Sequence, residues 1–401
     1  MTRPGRRDPD PAAGPVACSL DGREPDRPHS GVARDRVVVV GGGILGTMHA
    51  RSAVRSGASV VQLERHERPR GASVRNFGLV WVSGRSPGAE LRLALRSREL
   101  WQEVGRDVPG TGFRANGSIT VASTDAELKV LESAAARSDA SARGLALFDA
   151  EEVRRVNPGL QGEFIAGLHC SLDAAVEPRR TLGALREWLQ GSGRYEYVAP
   201  REVVEVADHA VTDHTGARHQ ADLVVLCVGA ADTGPMGRLF EGTRLQRVRL
   251  HMAETDPLDR PLATSVADGN SLRYYPAFKE FAAELLGPQN EALSRFGIQL
   301  LCQQRLDGGL TLGDTHEYDE PFPFDLSDEP LALVEQLARR VVGAPFPRIS
   351  RRWAGVYHQL SKVTDEELYF RSEIAPGVVA VTGAGGRGMT LAPAIAEETF
   401  S

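Results

Sequence analysis

Apolar residues in this chain gather into short β-branched runs rather than long stripes. The run at 36–40 (RVVVV) has the continuous apolar character of a strand buried on both faces. Positions 41–46 are rich in glycine. From 44 to 56 the apolar residues return at helical spacing, with Ile44, Leu45, Met48, Ala53 and Val54 on one side and Gly57 as the stop. The run at 59–63 (SVVQL), closed by Glu64, predicts a second strand, so this stretch predicts a βαβ unit. Helices are predicted at 91–104 and 181–189, and a strand at 118–121 followed by a helix opening at Thr124-Asp125-Ala126-Glu127. The run 223–228 (LVVLCV) predicts a buried strand ending at Gly229, and 298–302 with 310–312 predict paired strands of a separate sheet. A last buried strand is predicted at 378–382 (VVAVT), before a second glycine cluster and a short helix. The four buried runs lie far apart in sequence, which predicts one domain assembled from distant segments and a second domain interleaved with it.

Composition narrows this picture. The chain has 401 residues, 41% hydrophobic and 25% charged, an ordinary globular balance that excludes collagen-like and coiled-coil architectures. Its net charge of −6 argues against a nucleic-acid surface. No apolar run approaches the ~18 residues of a membrane span. The four cysteines (Cys18, Cys170, Cys227, Cys302) are too scattered for a disulfide framework or a CxxC motif, which fits a reducing cytoplasm. Residues 1–34 are rich in Pro, Arg, Asp and Gly without apolar periodicity, and predict a disordered extension. The Arg6-Arg7 pair has no apolar stretch after it, so no secretory signal is expected.

Gly41-x-Gly43-x-x-Gly46 fits the dinucleotide fingerprint. Its first glycine allows the tight turn, the second lets the backbone approach a pyrophosphate, and the third lets helix and strand pack closely. With 42 glycines in the chain the pattern alone is weak, and Gly383-x-Gly385-x-x-Gly388 repeats it. Context separates the two. The first copy follows a strand, opens a helix and is trailed by Glu64, a carboxylate placed to bind an adenosine ribose. That acid disfavours NADP and leaves NAD and FAD. The small, polar stretch 70–78 (RGASVRNFG) suits a path beside a flavin. Two decoys fail on chemistry. Gly84-Arg85-Ser86-Pro87-Gly88 fits the GxSxG nucleophile elbow, but Pro87 lacks the N–H that the oxyanion hole requires. His316, Glu317 and Asp319 have no metal-ligand spacing, so no metal is expected.

The chain resembles the FAD-dependent amine oxidoreductases of the D-amino-acid oxidase, glycine oxidase and sarcosine oxidase superfamily. The resemblance runs from about residue 35 to 401. It rests on VVVVGGGILG, Glu64-Arg65, ASVRNFG, ADLVVLCVGA (221–230), RRWAGVY (351–357) and TGAGGRGMTLAP (382–393) in that order. Within the superfamily it is most similar to a subgroup associated with aminophosphonate breakdown, through ASVRNFG, GIQLLCQQRLDGGLTLGDTHEY (297–318) and WAGVY. The implied fold is α/β: an FAD-binding Rossmann-like domain of the glutathione-reductase type interleaved with an antiparallel-sheet substrate domain. On that reading the FAD-binding domain comprises 35–110, 168–240 and 351–401, and the substrate domain 111–167 and 241–350.

The resemblance also implies roles. Gly41, Gly43 and Gly46 would meet the pyrophosphate, Glu64 the ribose, and the backbone of Val203 the adenine. Ser73 and Asn76 would lie near the flavin, with Ile44, Leu45, Arg65, Phe77 and Gly229 completing the cofactor site. Gly385, Gly386, Arg387, Gly388, Met389 and Thr390 would aim a helix N-terminus at the flavin's pyrimidine side. No cysteine occurs at 353–362, where sarcosine oxidases attach their flavin, so non-covalent FAD is expected. The expected reaction is oxidative deamination of a small amine by hydride transfer to flavin N5, with O2 or another acceptor reoxidising the cofactor. The substrate expected from the subgroup is 2-aminoethylphosphonate or its N-methyl derivative.

One departure bears on that substrate. In glycine and D-amino-acid oxidases an arginine that clamps the substrate carboxylate follows the Trp-Ala-Gly stretch, and here the position is Tyr357. A tyrosine offers one neutral donor and no bidentate ion pair. A differently placed anion would need other donors: Arg352, Arg273, His251 and His316, with Tyr274 and Tyr275 assisting. A glycine- or sarcosine-type oxidase, a catalytically silent FAD-binding subunit and, more distantly, an NAD dehydrogenase stay open, as does homo-oligomerisation.

Overall fold

The computed structural model describes residues 35–231 and 234–401, so the expectation for residues 1–34 lies outside the described residues. A six-stranded sheet runs in the order Phe370–Ala375, Val378–Thr382, Leu223–Leu226, Arg36–Val40, Ser59–Leu63, Tyr195–Val198. All neighbours are parallel except the first pair. The predicted strands at 36–40, 59–63 and 378–382 form with the expected bounds. The run 223–228 is shorter as a strand: it ends at Leu226, and Cys227 then donates its N–H to the Val40 carbonyl at 2.7 Å.

Strand alternation explains why these runs are apolar throughout. Val37 and Val39 pack with Ala50, Ala53, Leu391 and Ile395, under the helices Ile44–Arg55 and Gly388–Phe400. Val38 and Val40 face the other way, against Val203 and Val211 of a three-stranded sheet. Each strand is thus covered on both faces, as a parallel layer requires.

The second layer is an eight-stranded sheet in the order Ile349–Leu360, Leu245–Pro257, Gly309–Gly313, Leu301–Gln304, Ser265–Ala267, Ser118–Ala122, Ala166–Cys170, Leu145–Asp149. Its one parallel contact joins Ser265–Ala267 to Ser118–Ala122. The predicted pairing of 298–302 with 310–312 occurs, with Cys302 opposite Leu312, but the first strand starts late, at Leu301. The Leu300 N–H goes to the Asp268 carboxylate at 3.1 Å and leaves the ladder. Sheet membership also moves two boundaries. Those drawn at 167/168 and 350/351 cut through the strands Ala166–Cys170 and Ile349–Leu360, which both belong to the larger sheet. Thr124 and Glu127 form the expected reciprocal cap at the start of the helix Asp125–Ala135. Cys170, Cys227 and Cys302 are buried free thiols, and among the described residues no helix is long and apolar enough to cross a membrane.

One irregular segment, 81–86, connects the layers and is held by two buried ions. Asp173, fully buried, accepts from the N–H groups of Val82 (2.5 Å) and Ser83 (3.0 Å) and from the Ser83 and Ser118 hydroxyls. Arg143, also fully buried, donates to the carbonyls of Ser83 (3.2 Å) and Arg85 (2.6 Å) and pairs with Asp139. Donors and acceptors that no sheet satisfies are satisfied by one carboxylate and one guanidinium. Replacing Arg143 with Met should destabilise the chain by about 3 kcal/mol, because buried carbonyls and a carboxylate lose their donor. Chemical denaturation of the purified protein checks this.

Candidate active site

At the end of the Arg36–Val40 strand, Gly41 turns with φ of +105°. A Cβ there would lie 2.2 Å from the Cys227 carbonyl oxygen, so only glycine fits. The Gly42 N–H donates to Glu64 Oε2 at 2.7 Å and the His66 N–H to Oε1 at 3.0 Å, which fixes the buried Glu64 beside the turn. Gly43 caps the following helix without a side-chain bond, and the Ile44 N–H donates to Ser73 Oγ at 2.9 Å. The first helical turn therefore presents N–H groups to the space in front of it.

That space is a cavity of about 1080 Å³. It runs from Glu64, Arg65 and Val203 past Gly41, Gly43, Ser73 and Phe77 to the second glycine loop and a cluster of tyrosines. All the residues expected at the cofactor line it except Gly46. Gly46 does a different job: a Cβ on it would lie 2.1 Å from the Gly41 carbonyl oxygen, so it sets helix–strand contact and does not meet the cavity. Asn76 lines the wall with its amide engaged locally, donating to the Ala72 carbonyl and accepting from the Gly78 N–H. At the far end, the turn Gly385–Arg387 leads into the helix Gly388–Phe400. Thr390 Oγ1 accepts the Trp81 N–H at 2.9 Å, tying this helix to the 81–86 segment.

The residues expected at the substrate divide. Tyr357, Tyr275 and His316 line the cavity, as does Tyr274. Tyr275 stacks on Trp81 with centroids 5.9 Å apart, and His316 lies 4.3 Å from the Tyr274 ring. Burial pushes the Tyr357 and Tyr275 phenols well above their ordinary range, so both stay protonated donors. Arg352, Arg273 and His251 are corrected: none lines this cavity. Two of them lie on the face of the strand pair opposite Tyr357. Arg352 and Tyr357 lie an odd number of positions apart on the Ile349–Leu360 strand and so face opposite sides. His251 pairs with Ala354, on the Arg352 side, and is buried against Glu317 at 3.1 Å. Arg352 instead lines a separate arginine-rich groove with Arg65, Arg68, Arg179 and Trp353, and lies 3.5 Å from Asp328.

Three polar groups that sequence reasoning passed over stand in the cavity wall. Arg85 came to notice only within the GxSxG decoy. It is buried (4% exposed), donates through Nε to the Trp81 carbonyl and lies 3.5 Å from Glu90 Oε1. Glu90, 1% exposed, accepts twice from Ser86 and lies 3.6 Å from Arg387 Nη1. Burial raises its pKa, but Arg85, Arg387 and the Ser86 bonds outweigh this and hold the carboxyl below its ordinary value. Asp314, buried within the LGDTHEY stretch, accepts from Gln299 Nε2 at 3.1 Å. A buried acid at a strand exit was the one available signal for it.

The cavity fits an extended dinucleotide. Its first loop is open only because residue 41 carries no Cβ, and the buried Trp81 Nε1–H on its wall has no hydrogen-bond partner. Comparison with known proteins agrees. Residues 36–400 match the DAO family model, described as FAD dependent oxidoreductase, and the chain belongs to this family. It is therefore an FAD-dependent oxidoreductase. Over 371 residues it is 22% identical to an opine oxidase subunit of Agrobacterium tumefaciens (strain Ach5), covering 89% of this chain and 90% of the relative. The corresponding opine oxidase subunit of Rhizobium meliloti is 28% identical over 172 residues, 39% of this chain and 45% of that relative. Among solved structures, glycine oxidase from Bacillus cereus superposes with a TM-score of 0.71 at 17% identity, covering 91% of this chain and 93% of the other.

Gly41→Ala should lower FAD retention about 10-fold or more, since the added Cβ forces the turn off the Cys227 carbonyl. The flavin absorbance remaining after gel filtration reads the loss.

Proposed function

We propose that this FAD-dependent oxidoreductase oxidises a small amine that carries an acid group, with an aminophosphonate such as 2-aminoethylphosphonate or its N-methyl derivative as the substrate. One observation carries the reading. Arg85 and Arg387, both in the cavity wall, share the single carboxylate of Glu90, and contact it only at 3.5 and 3.6 Å. Removing a guanidinium from water without a full counter-charge is unfavourable, so the wall holds one positive charge for a ligand to neutralise. Tyr357, standing where the resemblance implies a carboxylate clamp, supports an anion seated elsewhere, at these arginines. A phosphonate, with three oxygens and up to two charges, matches two guanidinium groups that share one carboxylate oxygen.

Bound FAD would supply the hydride acceptor, and the imine product is hydrolysed by water to a carbonyl compound and ammonia, or methylamine from the N-methyl derivative. The chain supplies orientation. Gly41, Gly43 and the Ile44 turn would hold the pyrophosphate, Glu64 the ribose, the Val203 backbone the adenine, and the loop 385–388 the flavin ring. FAD is held non-covalently. The Tyr274, Tyr275 and Tyr357 rings wall the substrate end and keep water from it. O2 or a second acceptor takes the electrons.

The names of the curated relatives favour a second reading: an opine, that is, a secondary amine with carboxylates, with the chain acting as one component of a complex. Anaerobic mixing with a panel of amines separates the readings. Bleaching of the flavin band by 2-aminoethylphosphonate or its N-methyl derivative is expected, with ethylamine at least about 10-fold poorer for want of the ion pair. Turnover of opines or glycine alone overturns the phosphonate, and equal turnover of ethylamine overturns the anion site. Arg387→Gln should raise KM for the anionic substrate by about 10- to 100-fold, the loss of one charge-assisted contact.

A further inference from the structure

The three buried acids of the cavity wall differ in what neutralises them. Glu64 accepts two backbone N–H groups, and Glu90 has Arg85, Arg387 and Ser86. Asp314, 5% exposed, has the neutral amide of Gln299, and among the described residues no basic nitrogen is paired with it. It faces the cavity among Tyr274, Tyr275, Tyr318, Tyr357 and His316. These phenols approach the second glycine loop: a Cβ on Gly386 would lie 3.6 Å from the Tyr357 hydroxyl and 3.8 Å from that of Tyr274. His316 Nδ1 is engaged by the Gly297 carbonyl at 3.1 Å. The wall thus holds a buried carboxyl lacking a cation and, at Arg85 and Arg387, two guanidinium groups that share the one carboxylate of Glu90.

We propose that Asp314 seats the substrate's ammonium group and accepts a proton from it. This rests on the amine-oxidation reading above. One N–H bond of the ammonium breaks, an O–H bond forms on the carboxylate, and the electron pair stays on nitrogen. No electrons are exchanged in this step, and the proton leaves to solvent with the product. Only the neutral amine has the lone pair that assists hydride loss from its carbon, so the step sets the reactive form. Burial raises the Asp314 pKa, and the nearby His316 and the Gln299 bond offset this only in part. The carboxyl is thereby moved toward the range in which it trades protons with an amine.

The test is the pH profile of kcat/KM for wild type, Asp314→Asn and Asp314→Glu, each with flavin content verified by absorbance. In wild type the rising limb should report a carboxyl above the ordinary aspartate range. In Asp314→Asn the limb should move to the ionisation of the free substrate ammonium, near about 10. The loss should be about 100- to 1000-fold at neutral pH and shrink to less than about 10-fold at pH 10. Asp314→Glu should restore part of the neutral-pH rate. A loss equal at every pH, or an unmoved limb, overturns the proposal and leaves the amine-oxidation reading intact. A binding titration keeps the two apart. The probe is 2-aminoethylphosphonate dimethylated on its amine-bearing carbon, which cannot be oxidised, followed by the flavin spectrum. Weaker binding of at least about 10-fold to Asp314→Asn, with methylphosphonate unaffected, supports the seat even if no amine is turned over. Equal binding of the probe to both proteins overturns it.

Discussion

The backbone at Gly41 passes so close to the Cys227 carbonyl that no Cβ fits between them, and the site is built around that approach. The strands Arg36–Val40 and Leu223–Leu226 run side by side in the centre of the parallel sheet. At their C-terminal ends the chains must part, because each leads to a separate connection. A crevice opens there, as it does at the carboxyl edge of open α/β sheets generally. The turn at Gly41 brings the start of the helix Ile44–Arg55 over the crevice, and Gly46 lets that helix lie against the turn. A larger side chain at either position would push the helix away and close off its N–H groups.

From that crevice the cavity extends to a wall where charge is the governing constraint. The segment 81–86 has no regular partner, yet it delivers Arg85 to the cavity. It holds its shape because Asp173 takes its donors and Arg143 its acceptors. Both ions are buried and saturated with hydrogen bonds, which is the condition under which buried charge is tolerated. Arg85, Arg387 and Asp314 depart from that condition. Asp173, which has no paired cation among the described residues, takes four neutral donors and Arg143 several acceptors, whereas the ions facing the cavity have fewer hydrogen-bond partners. The contrast distinguishes scaffold from site without reference to any relative.

The sequence made the parallel layer legible for a physical reason. Strands covered on both faces need apolar residues throughout, so 36–40, 59–63 and 378–382 stand out with their bounds, and glycine marks the turns that follow. The glycine turns of the cofactor end were readable for the same reason, since Gly41, Gly43 and Gly385 sit within a few positions of those strands. The substrate end was legible only in part: Tyr274, Tyr275, Tyr357 and His316 were named and line the cavity, whereas Arg85, Glu90 and Asp314 were not. Asp314, Arg85 and Tyr357 come together from separate parts of the chain through sheet pairings that no local pattern encodes. Parity decided two of the errors: Arg352 and His251 face away from Tyr357 because of strand alternation and register. Once the strand at 349–360 is recognised, the parity of 352 and 357 follows from counting alone.

The strand Ile349–Leu360 also shows how one cavity is shared between two layers. It is an edge of the antiparallel sheet, paired along its length with Leu245–Pro257. Yet its Gln359 bridges Ala384 in the second glycine loop, and Arg75 of the 70–78 stretch donates to its Ala354 carbonyl at 2.8 Å. The strand is therefore clamped at two points by the same loops that line the cofactor end, while Tyr357 projects between them into the cavity. Backbone contacts fix its position, while the buried Tyr357 side chain packs with Val248 and Leu250 and carries its hydroxyl to the second glycine loop, 3.6 Å from where a Cβ on Gly386 would lie.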